Sequence, residues 1–303
     1  MELEALISKD MPLILKIQST AIKALTDFLD EKEFLQMMPV ILSPITDPLC
    51  HSVYDAKIKY LDQDLQLTKS MILHKQLSLI SEGISQIYIM SPNVRLEKAD
   101  CESSGRHLIE FSQLDIEIKH ATKKDFLKLA EDMVTYAITK VKEKNSKELE
   151  QLGRKLQIPK IPFKVYDSKD FKESINDAEK RLSKEATEPF WILNHKREFY
   201  DMEDKTEKGY YHNYDLIWPE GFGEALSGAE REFEFKEIVR KMKERGMNLE
   251  DYESYLNVAS KKLLKPSAGG GLGIERFVRY LAGKRHISEI SPFAKVPGRK
   301  ITF

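Results

Sequence analysis

Two stretches of this sequence hold residue types suited to phosphate and nucleobase chemistry. Near the C-terminus, SAGGGLGIERFVRYLAG places closely spaced glycines just ahead of Glu275 and Arg276. Glycine lets a backbone approach a ligand closely, and the planar guanidinium of Arg276 can grip a phosphate through a fork of donors. The segment is no Walker A sequence, because no GK[ST] follows, and it is no dinucleotide fingerprint in an early βαβ unit. Tight strand-to-helix packing is the alternative use of these glycines. The second stretch, SPNVRLEKADCESSGRHLIEFSQLDIE, delivers Arg95 and Glu97, passes through a charged loop, and returns Phe111, Gln113, Asp115 and Glu117. On a strand, the period of two sets those last four on one face. Arg95, Arg106 and Phe111 together suit phosphates and an adenine ring, while simple exposure to water is the alternative for the carboxylates.

Elements able to position these residues follow from the hydrophobic pattern. Leu13, Ile14, Ile17, Ala21, Leu25 and Leu29 recur at helical spacing, so Met11 to Leu29 reads as one amphipathic helix. Phe34 to Ile41 reads as an edge strand, because Pro39 removes a ladder donor. Ser70 to Ile80 reads as a short helix, Gln86 to Met90 and His107 to Ile118 as strands around the polar loop Glu97 to Arg106, and Lys123 to Lys142 as a helix covering the sheet. The Lys- and Glu-rich stretch 143–189 reads as a solvated insertion holding a short strand, FKVYD. Phe190 to Asn194 and Tyr214 to Trp218 suggest a hairpin. Phe222 to Leu226 suggests a further strand, Glu230 to Arg245 a long helix, and Ser267 to Leu281 a glycine-rich turn opening into a helix. Helices around antiparallel strand pairs indicate an α+β fold.

Composition narrows the classes. The 303 residues carry 48 Lys+Arg against 49 Asp+Glu, a formal net charge of -1, so no global basic field gathers nucleic acid. With 41% hydrophobic and 32% charged residues the chain can build a substantial core. The two cysteines, Cys50 and Cys101, match no zinc pattern, and Cys101 reads as incidental. The acidic start lacks the order of a signal peptide and no apolar run would span a bilayer, so a cytoplasmic protein is expected. Of 14 glycines, only Gly83, Gly105 and Gly153 precede position 208.

The motifs also carry a family resemblance. FLQMMPVIL resembles motif 1, NVRLE through RHLIEFSQLDIE motif 2, and GGGLGIERFVRYL motif 3 of class II aminoacyl-tRNA synthetases. YDLI with GEALSGAERE, and the ending HISEISPFAKVPG, resemble the aspartyl and asparaginyl subgroup. The resemblance implies a class II catalytic domain over residues 1–303, with 143–189 as an insertion, built on an antiparallel β-sheet flanked by helices. It implies bent ATP with Arg95 on the α-phosphate, Arg276 near the γ-phosphate, Phe111 on adenine, Glu97 on the adenine amino group, Arg106 and His107 completing the loop site, and Gly273 in the nucleotide motif. Arg95 and Arg276 would be catalytic. Mg2+ would sit on Asp215 and Glu224, with Ser227 assisting. Ser70, Lys75, Gln113, Asp115, Ser227 and Arg231 would bind the amino acid, Lys75 and Arg231 taking a carboxylate.

The chain further resembles archaeal asparagine synthetase-related proteins, which lack the N-terminal anticodon-binding module. That likeness implies aspartate and ammonia as substrates and β-aspartyl-AMP as intermediate; the edge strand over Phe34 to Ile41, which must be covered or paired, suggests a homodimer, and the missing module with the near-neutral charge suggests no tRNA partner. A truncated synthetase paralogue activating Asp or Asn for another acceptor, and a noncatalytic regulator, are the alternatives. Three departures from the subgroup stand out: Ile72 where the aspartyl enzymes usually place glutamine, Glu232 after Arg231, and Lys295 for a terminal arginine.

Overall fold

The computed structural model describes residues 6–302. Helix α1 (Met11–Asp30) starts with a proline in its first turn, where no helical N–H is sacrificed, and buries Ile14, Ile17, Ala21, Leu25 and Leu29 as one stripe. Strands β1 (Leu35–Gln36), β2 (Leu42–Ser43), β3 (Lys57–Tyr60) and β4 (Gln63–Leu67) follow, then helix α2 (Ile72–Ser78) and the long strands β5 (Gln86–Val94) and β6 (Glu110–Lys119). Helix α3 (Lys123–Lys144) opens on a reciprocal capping box between Thr122 and Asp125 and closes with Lys142 and Lys144 in its last turn, where they complement the dipole. Next come α4 (Ser146–Gln151), β7 (Lys164–Asp167), α5 (Ile175–Glu185), β8 (Phe190–Leu193), β9 (Asn213–Trp218) and β10 (Gly223–Glu230). The chain ends with α6 (Phe235–Glu244), α7 (Glu253–Ser260), β11 (Ser267–Gly273) and α8 (Ile274–Ala282).

Eight strands form one sheet in the order β1-β5-β6-β11-β10-β9-β8-β7. Its six central strands are antiparallel. The two edge pairs, β1 with β5 and β7 with β8, are parallel. The expected antiparallel sheet is therefore mixed at its edges, where long connections, one of them carrying α5, allow strands to re-enter in the same direction. The expected strand over Phe34 to Ile41 pairs only at Leu35 and Gln36, since Pro39 cannot donate. Glu230 to Arg245 is not one helix. Glu230 pairs with Ala268 and Arg231 N donates to Ser267 O, so β10 runs on and the helix begins at Phe235.

Residues 143–189 are more than a solvated surface. They supply the edge strand β7, and α5 buries Ala178, Glu179, Leu182 and Ser183. Its apolar stripe is too narrow to stand out among the charges. The small sheet β2-β4-β3 had no counterpart in the sequence reading, because β3 is exposed throughout and shows no burial period.

The main core lies between one sheet face and helices α1, α3 and α8, with Leu114, Ile116, Leu216 and Leu272 meeting Ile17, Leu25, Phe126, Val134 and Phe277. Alternation then drives Phe111, Gln113, Asp115 and Glu117 to the opposite face. No helix among the described residues is long and apolar enough to cross a membrane.

Candidate active site

The face opposite the main core opens into a cavity of about 450 Å³, whose walls include Ser70, Lys75, Arg95, Glu97, Arg106, His107, Phe111, Gln113, Asp115, Glu224, Ser227, Arg231, Gly273 and Arg276. All the expected site residues except Asp215 thus meet in one space.

At one end three guanidiniums gather. Arg95 donates from Nε to the Lys69 carbonyl at 2.9 Å, and its guanidinium lies 5.1 Å from the centre of the Phe111 ring. Asn93 pairs with Phe111 across β5 and β6, which explains why the arginine and the ring share a face. Arg276, in the first turn of α8, pairs with Glu224 at 2.9 Å. Its neighbour Glu275 accepts the Ser112 N–H on both oxygens at 2.9 Å, fastening α8 to β6. Arg106 forms a close ion pair with Glu179 of α5, which also accepts the Glu224 N–H at 3.0 Å. Burial lowers the pKa of Arg276, and repulsion from Arg106 and Arg95 adds to that despite Glu224. His107 is pushed down to about 4 by burial, then by Arg276 and Arg106, so it is neutral near pH 7. A cluster of mutually repelling guanidiniums in a cavity is prepared for a polyanion.

Glu97 is engaged from above. Both its oxygens lie 3.0 Å from His51 Nε2. Cys50 and Glu97 together raise His51 to about 9 against the effect of burial.

The other end is a buried ionic lattice. Lys75 Nζ donates to Asp115 Oδ1 at 2.8 Å and to the Gly270 carbonyl at 3.1 Å. Arg231 bonds Glu117 through Nε at 3.1 Å and Asp201 through Nη1 at 3.2 Å. Ser91 donates to Asp115 at 2.5 Å, and Asn93 holds Gln113 at 3.1 Å. Ser70 accepts the Ile72 N–H at 3.3 Å at the start of α2. Asp115 is 2% and Glu117 0% exposed, which removes solvation as the reading of these carboxylates. Such groups survive burial only when paired.

Asp215 is the exception. Its carboxylate sits between Arg197 Nη1 at 2.6 Å and His195 Nε2 at 3.2 Å, and it does not line the cavity. Arg197 also bonds Ser227 and takes the place in the wall expected of Asp215. Burial opposes the Arg197 charge, yet Asp215 and Glu224 raise its pKa above the ordinary value. Among the described residues no group of three or more His, Cys, Asp or Glu side chains is placed to hold a metal. As arranged, Asp215 pairs with Arg197 and Glu224 with Arg276; magnesium at a nucleotide needs only one or two carboxylates beside phosphate oxygens, and of this pair Glu224 is the one that lines the cavity.

Arg197, Asp201, Glu179 and His51 escaped the sequence reading. Arg197 and Asp201 lie in NHKREFYD directly after β8, and a basic cluster at a strand end was their one visible signal. Glu179 and His51 carry no local mark, since their partners Arg106 and Glu97 are remote in sequence.

The family pattern described as "tRNA synthetases class II (D, K and N)" matches residues 3–297. Asparagine--tRNA ligase of Pyrococcus abyssi is 28% identical over 306 residues, covering 94% of this chain and 69% of that protein. Aspartate--tRNA(Asp/Asn) ligase of Methanothermobacter thermautotrophicus is 30% identical, covering 93% of this chain and 66% of that protein. Among solved structures, asparaginyl-tRNA synthetase from Pyrococcus horikoshii complexed with asparaginyl-adenylate superposes with a TM-score of 0.86 at 26% identity, covering 97% of this chain and 70% of the other. These relatives are named for tRNA, so the expectation that tRNA is no partner finds no support in them. With matching motifs, a matching fold and a family match over almost its whole length, the chain belongs to the class II tRNA synthetase family of the D, K and N type.

Proposed function

We propose that this protein uses ATP to activate a carboxylate of aspartate or asparagine as an acyl adenylate and passes the acyl group to a nucleophile. The observation that carries this reading is the shared cavity, with Arg95, Phe111 and Arg276 at one end and Lys75 and Arg231 at the other. A substrate carboxylate oxygen attacks the α-phosphorus and pyrophosphate leaves. Negative charge grows on the equatorial oxygens, where the fixed guanidinium of Arg95 meets it, and on the departing pyrophosphate, where that of Arg276 does, neither needing to reorganise. No general base is required, because the attacking carboxylate is already ionised. In the second step the acceptor attacks the acyl carbon and AMP leaves. Magnesium is an expectation from the family, and no step here is routed through it, given how Asp215 and Glu224 are engaged.

Two acceptors fit. Curated relatives are named for loading tRNA, and the same adenylate meeting ammonia yields asparagine and AMP. The near-neutral charge is the observation on the side of ammonia, and the curated relatives support tRNA. The reading is tested by aspartate- or asparagine-dependent exchange of pyrophosphate into ATP, followed by product analysis with ammonium or tRNA. Release of ADP, or no exchange with either amino acid, overturns it.

Lys75→Ala is expected to weaken amino-acid binding at least tenfold while changing ATP affinity less than about threefold, read by separate titrations. Equal loss of both would assign Lys75 a structural role.

The exposed apolar side chains Leu35 (51%), Met38 (80%) and Ile41 (54%) beside the open edge of β1 support a twofold dimer as the assembled form. Sedimentation at micromolar concentration should give twice the chain mass, and a monomer would refute the dimer.

A further inference from the structure

Three guanidiniums crowd the polyanion end of the cavity, and like charges do not stay together unheld. After burial, repulsion from Arg106 and Arg95 lowers the pKa of Arg276, so an arginine without a partner would turn out toward water. Arg95 is tied to the Lys69 carbonyl and Arg276 to Glu224. What holds Arg106 comes from behind the wall. Its guanidinium pairs through Nη1 with Glu179, which is 6% exposed and does not line the cavity, whereas Arg106 does. Among the described residues Nη1 is the one guanidinium nitrogen of Arg106 that is bonded, so Nε and Nη2 remain to meet a ligand.

The surrounding backbone is built around this pair. Glu179 Oε1 also accepts the Glu224 N–H at 3.0 Å, so one carboxylate fixes the Arg106 side chain and the residue that holds Arg276. One turn along α5, Ser183 accepts the Gly223 N–H at 3.0 Å on Oγ and the Gly221 N–H at 2.8 Å on its carbonyl oxygen, which clamps the turn between β9 and β10 onto the helix. Gly223 makes the room. Its φ is +75°, and a Cβ there would stand 2.8 Å from Arg106 Nη1 and 2.9 Å from Glu179 Oε1. The main chain of the loop is held as well, since Arg276 Nε donates to the Arg106 carbonyl at 3.3 Å and Arg279 Nη1 to the Gly105 carbonyl at 2.9 Å.

We infer that Glu179 is a positioning residue for the nucleotide: it fixes Arg106 from behind, so that the unbonded edge of the guanidinium is set for the phosphates beyond the α-phosphate before they arrive. This rests on the use of ATP proposed above, and it gives α5, within the segment 143–189, a part in nucleotide binding. The carboxylate touches no phosphate itself. Its negative charge is already neutralised by Arg106 and repels a phosphate on the far side little, whereas an unheld Arg106 would have to be drawn back against two other cations.

The full-length protein is titrated with ATP and with AMP in the absence of amino acid, so that no turnover occurs. Glu179→Gln keeps an oxygen to accept the Glu224 N–H and loses the charge that holds Arg106. It should bind ATP about tenfold more weakly, and AMP, which lacks the outer phosphates, within about twofold of the parent protein. Added to Arg106→Ala, the same substitution should cost less than about twofold more, because its partner is gone. Unchanged ATP affinity, equal losses for ATP and AMP, or the full tenfold loss in the Arg106→Ala background each overturn the role. Tighter ATP binding overturns it too, by showing that Glu179 only screens Arg106. Glu179→Asp keeps the charge one methylene further off and should lose about threefold for ATP alone, so it carries the test where the Gln variant does not fold. A parent protein that binds ATP yet exchanges no pyrophosphate with either amino acid overturns adenylation and leaves Glu179 in place. One that binds no ATP overturns both.

Discussion

Arg276→Ala is expected to lower adenylate formation by about 100- to 1,000-fold, the loss seen when one preorganised charge-stabilising donor is removed. The argument begins with its surroundings. Arg276 projects from the first turn of α8 into the cavity, bonded to Glu224 at 2.9 Å, with its Nε donating to the Arg106 carbonyl at 3.3 Å. It contributes no large apolar surface to the core, whose α8 contacts come from Phe277, Val278 and Leu281. The folded state should therefore tolerate alanine, with the melting temperature close to that of the parent protein. What alanine removes is positive charge where the β- and γ-phosphates gain negative charge as pyrophosphate departs. Arg276→Lys keeps the charge without the fork, so an intermediate rate is expected. Pyrophosphate exchange checks the series. If Arg276 served only to hold Glu224, Glu224→Gln would match the alanine variant and ATP affinity would be unaltered. Exchange within threefold of the parent would remove Arg276 from the reaction.

Those parts of the site that obey local rules were legible in the sequence. Gln113, Asp115 and Glu117 alternate with Leu114 and Ile116, so the period alone sorts one face into core and the other into site. The motif 3 glycines sit just before Arg276 because a strand hands over to a helix there, at Gly273 and Ile274. Pairings closed over long sequence separations left no trace. Arg197 reaches Asp215 and Ser227 across β9 and β10, which sets a guanidinium between Asp215 and the cavity. Glu179 lies in a charged helix that resembles any solvated surface until its carboxylate is found against Arg106. Strand β3 is short and exposed and β4 is short and at most half-buried, so no hydrophobic period announces them. Asp201 is the sharpest case. Its bridge to Arg231 depends on an antiparallel contact between a loop and the end of β10, which neither segment reveals alone.

The glycine-rich strand β11 serves the ionic lattice as much as any nucleotide, and Gly269→Ala tests that directly. Gly269 pairs with Glu117 across the sheet, and a Cβ at position 269 would stand 1.9 Å from Glu117 Oε2 and 2.4 Å from the Ile116 carbonyl oxygen. The backbone oxygen cannot retreat without breaking the ladder. The carboxylate cannot retreat without releasing Arg231, which it holds at 3.1 Å, and Ser267 Oγ at 2.8 Å. Stranding a buried guanidinium in this way costs about 3–5 kcal/mol, enough to lower Tm by on the order of 10 °C. Gly83 is the matching control, since a Cβ there meets nothing within 4 Å. Gly83→Ala should leave Tm unchanged or raise it slightly, because alanine restricts the unfolded chain. Thermal melts of the two variants beside the parent protein decide the point. Equal melting temperatures for all three would mean that Glu117 can leave Arg231 freely. The amino-acid end of the cavity would then be a loose set of charges and not the rigid lattice on which the orientation of the substrate depends.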